Sequence, residues 1–243
     1  MIYFSNLNCC HKFGVYCTLW SIPIIYFFSR TPVIKKTLIE AFNAGLPGEK
    51  VQWEMASSDR LIRNFPRTPR SDSAEAAVMI LLYRLNGSLN TVFIKRPDYE
   101  GIHGGQISFP GGKREKSDRS AEETALRETA EETGLPVKNI SIIGQLTPLY
   151  IHVSNIYVIP FAGWFEGIPV FRPQKSEVDF LIEAGLESFI REPVIKTGSF
   201  KVRGENIDIK YFDYMGHVIW GATAMIFNEF LEIIRRSGLK VRE

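Results

Sequence analysis

Apolar and polar positions follow two periodicities along this chain. Between Val33 and Ala44 apolar residues stand at Val33, Ile34, Leu38, Ile39 and Phe42, the spacing of one helix face, and Gly45-Leu46-Pro47-Gly48 closes that helix. Residues 56–75 are polar and broken by Pro66 and Pro69, which reads as an extended lead-in. Ala76–Arg84 is an unbroken apolar run of strand length, the pattern of a strand buried on both faces. Asn86-Gly87 marks a turn into a second strand, Thr91–Lys95. A short strand over Gln106–Phe109 leads into Pro110-Gly111-Gly112, expected to be a loop. Ser120–Thr133 reads as a helix, with Ser117 or Asp118 as its N-cap and Gly134 and Pro136 behind it. Its apolar members Ala121, Ala125, Leu126 and Ala130 are mostly small, which implies close packing on a sheet. Strands follow over Ile140–Gln145, Ile156–Trp164 and Val178–Ile182. A hairpin spans Val194–Val202 and Ile207–Phe212, and an amphipathic helix over Val218–Ile234, with Trp220-Gly221-Ala222 inside it, closes the chain. Runs of strands with few helices between them predict an α/β fold whose mixed sheet is sandwiched between helices.

Composition narrows the class. At 243 residues, 45% hydrophobic and 23% charged, the chain fits one globular domain with appendages and excludes a disordered or fibrous protein. A net charge of +2 provides no bulk electrostatic attraction to nucleic acid. The 3 cysteines are Cys9, Cys10 and Cys17, so nothing beyond them can form a disulfide framework, and a reducing cytoplasm is the simplest compartment. Residues 1–30 form a separate apolar segment. Its run from Phe13 to Phe28 is interrupted by Pro23 and falls short of the roughly 20 apolar residues of a membrane helix. It fits a weak anchor, a poor signal sequence or sequence upstream of the true start, of which we favour the last. Residues 31–75 are then the helix and lead-in, and 76–243 the main domain.

The chemistry gathers between Gly111 and Leu135. On a helix, Glu128, Glu131 and Glu132 fall on one face, where like charges repel. Arg127 beside them offsets part of that repulsion, and a hard divalent cation would offset more. Behind a glycine loop that exposes backbone carbonyls, such carboxylates form a candidate magnesium–phosphate site. By itself, a solvated acidic face is the commoner outcome of such a pattern.

This stretch resembles the Nudix box. Gly112, Arg127, Glu128, Glu131, Glu132, Gly134 and Leu135 occupy its positions. Asp118 stands where the box has its first Glu, the spacer to Arg127 is one residue longer, and Thr129 replaces an aliphatic residue. Those departures are similar to a branch of the family, the coenzyme A pyrophosphatases. Arg96, His103, Gly105, Gln106, Phe109 and Pro110 also match the signature preceding the box in that branch, while Glu100-Gly101 replaces its usual Leu-Arg pair.

The resemblance implies a Nudix fold and metal-dependent hydrolysis of the diphosphate of coenzyme A or its thioesters, giving 3′,5′-ADP and 4′-phosphopantetheine. Other nucleoside diphosphate derivatives, such as ADP-ribose or a dinucleoside polyphosphate, are the alternative substrates, and a non-catalytic nucleotide-binding module is a second alternative. It implies Mg²⁺ or Mn²⁺ held by Glu128, Glu131 and Glu132, with the Gly112 carbonyl as a further ligand. Glu128 or another carboxylate would orient the attacking water, and Arg127 would hold a carboxylate in place. Arg96, His103 and Gln106 are the candidate substrate-binding residues. Lys113, Arg114 and Lys116 are candidates to attract the anion. Asp118 reads as an N-cap rather than a ligand, and Glu177 as a surface glutamate in preference to an extra base.

Overall fold

The computed structural model describes residues 22–98, 104–190, 195–202 and 204–242, with side chains from Pro32 onward. The helix expected over Val33–Ala44 is α1, Ile22–Asn43; it begins earlier than its apolar spacing shows and runs through Pro32. Two short helices follow, α2 (Glu49–Trp53) and α3 (Ser58–Ile62). The second corrects the extended lead-in. Residue spacing could not reveal it, because its anchor is distant: Arg60 on α3 donates a hydrogen bond to the Tyr150 carbonyl.

The central strands are β1 (Ala74–Leu85) and β2 (Ser88–Lys95), which pair antiparallel across the Asn86-Gly87 turn. Next come β3 (Ile107–Ser108) and β4 (Gly111–Lys113), then helix α4 (Ala121–Thr133). The strands β5 (Ile140–Gln145), β6 (Leu149–Ile151), β7 (Ile156–Phe165) and β8 (Phe180–Gly185) complete the main sheet. A single-turn helix, α5 (Glu187–Ile190), leads to a second sheet of β9 (Ile195–Val202), β10 (Glu205–Tyr214) and β11 (His217–Trp220), and α6 (Gly221–Ser237) closes the fold.

The main sheet has the order β3-β2-β1-β7-β5, with β4 on β1, β6 on β7 and β8 on β2. Its spine is the parallel β1–β7 ladder, from Ala74 opposite Ile156 to Leu82 opposite Trp164, beside otherwise antiparallel pairs. The mixed sheet is therefore as expected. Alternation along β1 sorts its side chains onto two faces. Ala76, Ile80 and Leu82 join the core under α1 and α6, whereas Ala77, Met79, Leu81 and Tyr83 join Ala125 of α4 on the other face.

The expected loop at Pro110-Gly111-Gly112 is in part a strand: Gly111 and Gly112 pair with Val78 and Ala77. Only glycine permits this. A Cβ on Gly111 would lie 2.3 Å from the Ala77 carbonyl oxygen, at a φ of +153°. The closing helix is shorter at its start than expected, because His217–Trp220 pairs with β10 as an edge strand. Val218, Ile219 and Trp220 carry no local mark that separates a strand from the first turn of a helix; the ladder decides it. Among the described residues no helix is long and apolar enough to cross a membrane.

One buried carboxylate ties the lead-in to the domain. Glu229 of α6 has no solvent exposure. It accepts hydrogen bonds from the Gly48 N–H (3.0 Å), Gln52 Nε2 (2.8 Å), the Thr147 N–H (3.2 Å) and the Thr147 hydroxyl (2.6 Å). Glu229→Ala leaves these buried donors without their acceptor and is expected to destabilise the protein by about 3 kcal/mol. Urea unfolding measures it, and a loss below about 1 kcal/mol would show that water replaces the carboxylate.

Candidate active site

Local signals set the boundaries of α4. Ser120 is its N-cap, accepting from the Glu123 N–H (3.2 Å), while the Glu123 carboxylate reaches back to the Arg119 N–H (2.6 Å). Gly134 ends the helix in the left-handed conformation, its N–H bonded to the Ala130 carbonyl. The small apolar face packs on the sheet as expected, with Ala125 in the core and Ala121 and Leu126 against it, and threonines extend the buried stripe. Thr124, Ala125, Thr129 and Thr133 are buried, and the Thr129 and Thr133 hydroxyls donate to the carbonyls of Ala125 and Thr129. Thr129 thus fills a core position where the box has an aliphatic residue.

Asp118 is not the cap. It is buried and receives two hydrogen bonds from Arg127, at 3.0 and 2.9 Å, with further ones from the Thr124 hydroxyl (3.0 Å) and the Glu115 N–H (2.9 Å). The Arg127 guanidinium, foremost, holds its carboxyl well below the usual carboxylate range. Arg127 reaches onward to Glu128 (2.9 Å) and Glu131 (3.1 Å). Arg127 therefore bridges one buried anchor to two carboxylates.

The three glutamates differ in setting. Glu131 is exposed and does not line the cleft that holds the other two. Glu128 sits over Gly112, so tightly that a Cβ there would lie 2.4 Å from its carboxyl carbon. Glu132 is 2% exposed; it accepts the Gly111 N–H at 2.7 Å and faces Arg96 at 3.8 Å. Burial pushes Glu128 upward and Glu132 up to about 7, against the pull of Arg127 on the first and of Arg96 on the second. Glu132 is thus a buried carboxylate and Glu128 a half-buried one, each raised chiefly by desolvation.

They line a cleft of about 360 Å³ with Arg96, Pro97, Gly111, Gly112, Ser176 and Glu177. Arg96 also donates to the Gly111 carbonyl (3.0 Å), so the strand end, the glycine strand and the helix meet at this side chain. Glu177, read from sequence as a surface glutamate, is exposed but lines the cleft, and its charge adds to the upward push on Glu128 and Glu132. Nothing in its local sequence signals this, because the loop before β8 brings it there. Gln106 meets Arg96 through its backbone, its carbonyl accepting the Arg96 N–H at 3.0 Å. Arg114 is tied to Glu75 (2.9 Å) and to the carbonyls of Asp118 and Arg119. His103 lies outside the described residues. A second hollow, about 510 Å³ against α1, is lined by Lys35, Lys36 and Glu166 among others and gathers no comparable carboxylates.

The donor set suits a hard divalent ion: carboxylate oxygens and the Gly112 carbonyl. In this arrangement Arg127 draws Glu128 and Glu131 to itself, and among the described residues no three acidic, histidine or cysteine side chains converge as a ready metal site. An ion would have to take those carboxylates over from Arg127, which would keep Asp118.

The family model for the NUDIX domain matches residues 74–185. The chain is 33% identical over 159 residues to Nudix hydrolase 22, chloroplastic, of Arabidopsis thaliana, covering 63% of this chain and 52% of that protein. It is 32% identical over 180 residues to the uncharacterized Nudix hydrolase NudL of Yersinia enterocolitica, covering 74% of this chain and 91% of that one. The chain thus spans about half the length of the plant relative and nearly all of the bacterial one. A solved MutT/nudix family protein from Enterococcus faecalis aligns with 77% of this chain and 73% of its own, at 16% identity and a TM-score of 0.47.

Proposed function

Because this chain belongs to the Nudix hydrolase family, we propose that it hydrolyses the diphosphate linkage of a nucleoside diphosphate derivative, with coenzyme A or its thioesters as the substrate class, and that it works in the cytoplasm. The observation that carries the reaction is the cleft in which Glu128, Glu132, Glu177 and Arg96 surround the Gly111-Gly112 strand. Support for coenzyme A comes from Arg96, Gly105, Gln106, Phe109 and Pro110, the residues resembling that branch.

Each residue has a role in this reading. Glu128, Glu131, Glu132 and the Gly112 carbonyl would hold Mg²⁺ or Mn²⁺, which when bound neutralises phosphate charge and acidifies water. Arg96 stands at the mouth and pairs with a phosphate oxygen while steadying Glu132. Glu177, exposed across the cleft, orients the attacking water. Arg127 fixes the direction of the helix carboxylates from its anchor on Asp118.

The test incubates the full chain with coenzyme A, ADP-ribose or a dinucleoside polyphosphate, each with Mg²⁺ or Mn²⁺ and each with excess chelator. Products are identified by mass. Release of 3′,5′-ADP from coenzyme A, abolished by chelator, is the expected result. Cleavage of ADP-ribose or the polyphosphate alone would keep the hydrolase and remove the coenzyme A assignment. If no diphosphate is cut, the hydrolase reading fails.

A further inference from the structure

Glu177 reaches the cleft on a loop that is anchored on both sides. Before it, Arg172 donates its N–H to the Thr133 carbonyl in the last turn of α4 (2.8 Å). The loop passes so close to the end of that helix that a Cβ on Gly134 would lie 2.4 Å from the Arg172 carbonyl oxygen. After it, the Val178 side chain is buried and the Asp179 N–H bonds to the Lys95 carbonyl (2.9 Å). The loop is thus tied to the helix that carries Glu128 and Glu132 and to the strand end beside Arg96.

Between these anchors Gln174 organises the turn. Its carbonyl accepts the N–H of Glu177 (3.0 Å) and of Val178 (2.9 Å). Its side chain acts on the same residues: Nε2 donates to the Ser176 hydroxyl (3.1 Å) and to Oε1 of the Glu177 carboxylate (3.4 Å). An amide nitrogen carries two hydrogens, so both bonds can form together. Ser176 and Glu177 are the residues through which this loop lines the cleft, and one amide touches both. The kind of donor matters. Glu128 and Glu131 are held by a cation, Arg127, which neutralises them in part. A neutral amide directs Glu177 and leaves its negative charge free to attract a water proton. Gln174, Ser176 and Glu177 are all exposed, so water competes with the amide and limits the size of the effect.

We propose that Gln174 is a positioning residue, whose side-chain amide sets the direction of the Glu177 carboxylate and through it that of the attacking water. The inference rests on the reading that Glu177 orients that water, and it adds what directs the carboxylate.

The experiment is a double-mutant cycle on the full chain, with coenzyme A and, in parallel, ADP-ribose as substrates in Mg²⁺. The variants are Gln174→Met, which keeps the length of the side chain without its donor, Glu177→Gln, and the two combined. Gln174→Met is expected to lower kcat about three- to tenfold, the size of one hydrogen bond, with KM within about twofold of wild type. In the Glu177→Gln background the same change is expected to alter kcat by less than about twofold, because its only target is already gone. A purely structural residue would cost the same in both backgrounds, and that result overturns the proposal. So does a kcat for Gln174→Met within about twofold of wild type, a rise confined to KM, or a melting temperature more than about 3 °C below wild type. A wild-type chain inert toward both substrates is a different outcome: it refutes the proposed reaction itself and this role with it.

Discussion

Glu132→Gln is expected to lower diphosphate hydrolysis by at least about a thousandfold while leaving the fold intact. The carboxylate is 2% exposed and bonded to the Gly111 N–H at 2.7 Å. Glutamine keeps the size of the side chain, and its amide oxygen can still accept that N–H. What it loses is the charge, in a cleft where the proposed chemistry depends on gathering a divalent ion. Loss of an electrostatic contribution of roughly 4 kcal/mol to the transition state corresponds to that factor. Single-turnover assays by product mass, with a melting curve beside them, separate the two effects. A variant within tenfold of wild type would remove Glu132 from the reaction. A collapse in melting temperature would make the Glu132 carboxylate structural first.

Arg127→Ala is expected to cost both activity and stability, through one side chain that bridges three carboxylates. Asp118 would be left 3% exposed without its cation. Removing one member of a buried pair costs about 3–5 kcal/mol, and for a chain of this size that lowers the melting temperature by roughly 10 °C. The acid profile identifies the source. Arg127 depresses the Asp118 pKa in the folded state, so the unfolded chain takes up its proton first as pH falls. The stabilisation is therefore complete above about pH 4, the unfolded value, and fades below it. Wild-type melts between about pH 7 and pH 3 should show that decline, and Arg127→Ala should lack this part of it. Arg127→Lys supplies a point charge but not the forked donor, and is expected to recover only part of the loss. A melting temperature for Arg127→Ala within about 2 °C of wild type would show that the bridge contributes little.

The readable parts of this chain are those whose signals are local. Helix α4 falls within a residue of its expected span because Ser120 and Gly134 cap it directly. β5 matches Ile140–Gln145, where an apolar segment lies between the turn after Pro136 and the next strand. The β9–β10 hairpin forms from the two expected strand runs, with Glu205 and Asn206 joining the second strand. The box glutamates, Arg127 and Gly112 could be named in advance because they lie close together in sequence, on one helix and the strand before it. The resemblance to a known box added a reason to prefer a metal and a diphosphate over a solvated face.

What stayed hidden depends on partners far along the chain. Gly111-Gly112 looks like a loop until β1 pairs with it, and the same packing places Glu128 against Gly112. Asp118 has the composition of a helix cap, yet folding buries it under Arg127 and gives the cap to Ser120. Glu177 has no motif of its own and reaches the cleft only through the path of the chain into β8. Residue types and spacings thus determined the mixed sheet, the acidic helix and its arginine, because periodicity and capping act over a few residues. Tertiary structure alone decided which carboxylates are buried, which cation restrains each one and which distant loop joins them, because desolvation and Coulomb interactions act between residues that only the folded chain brings together.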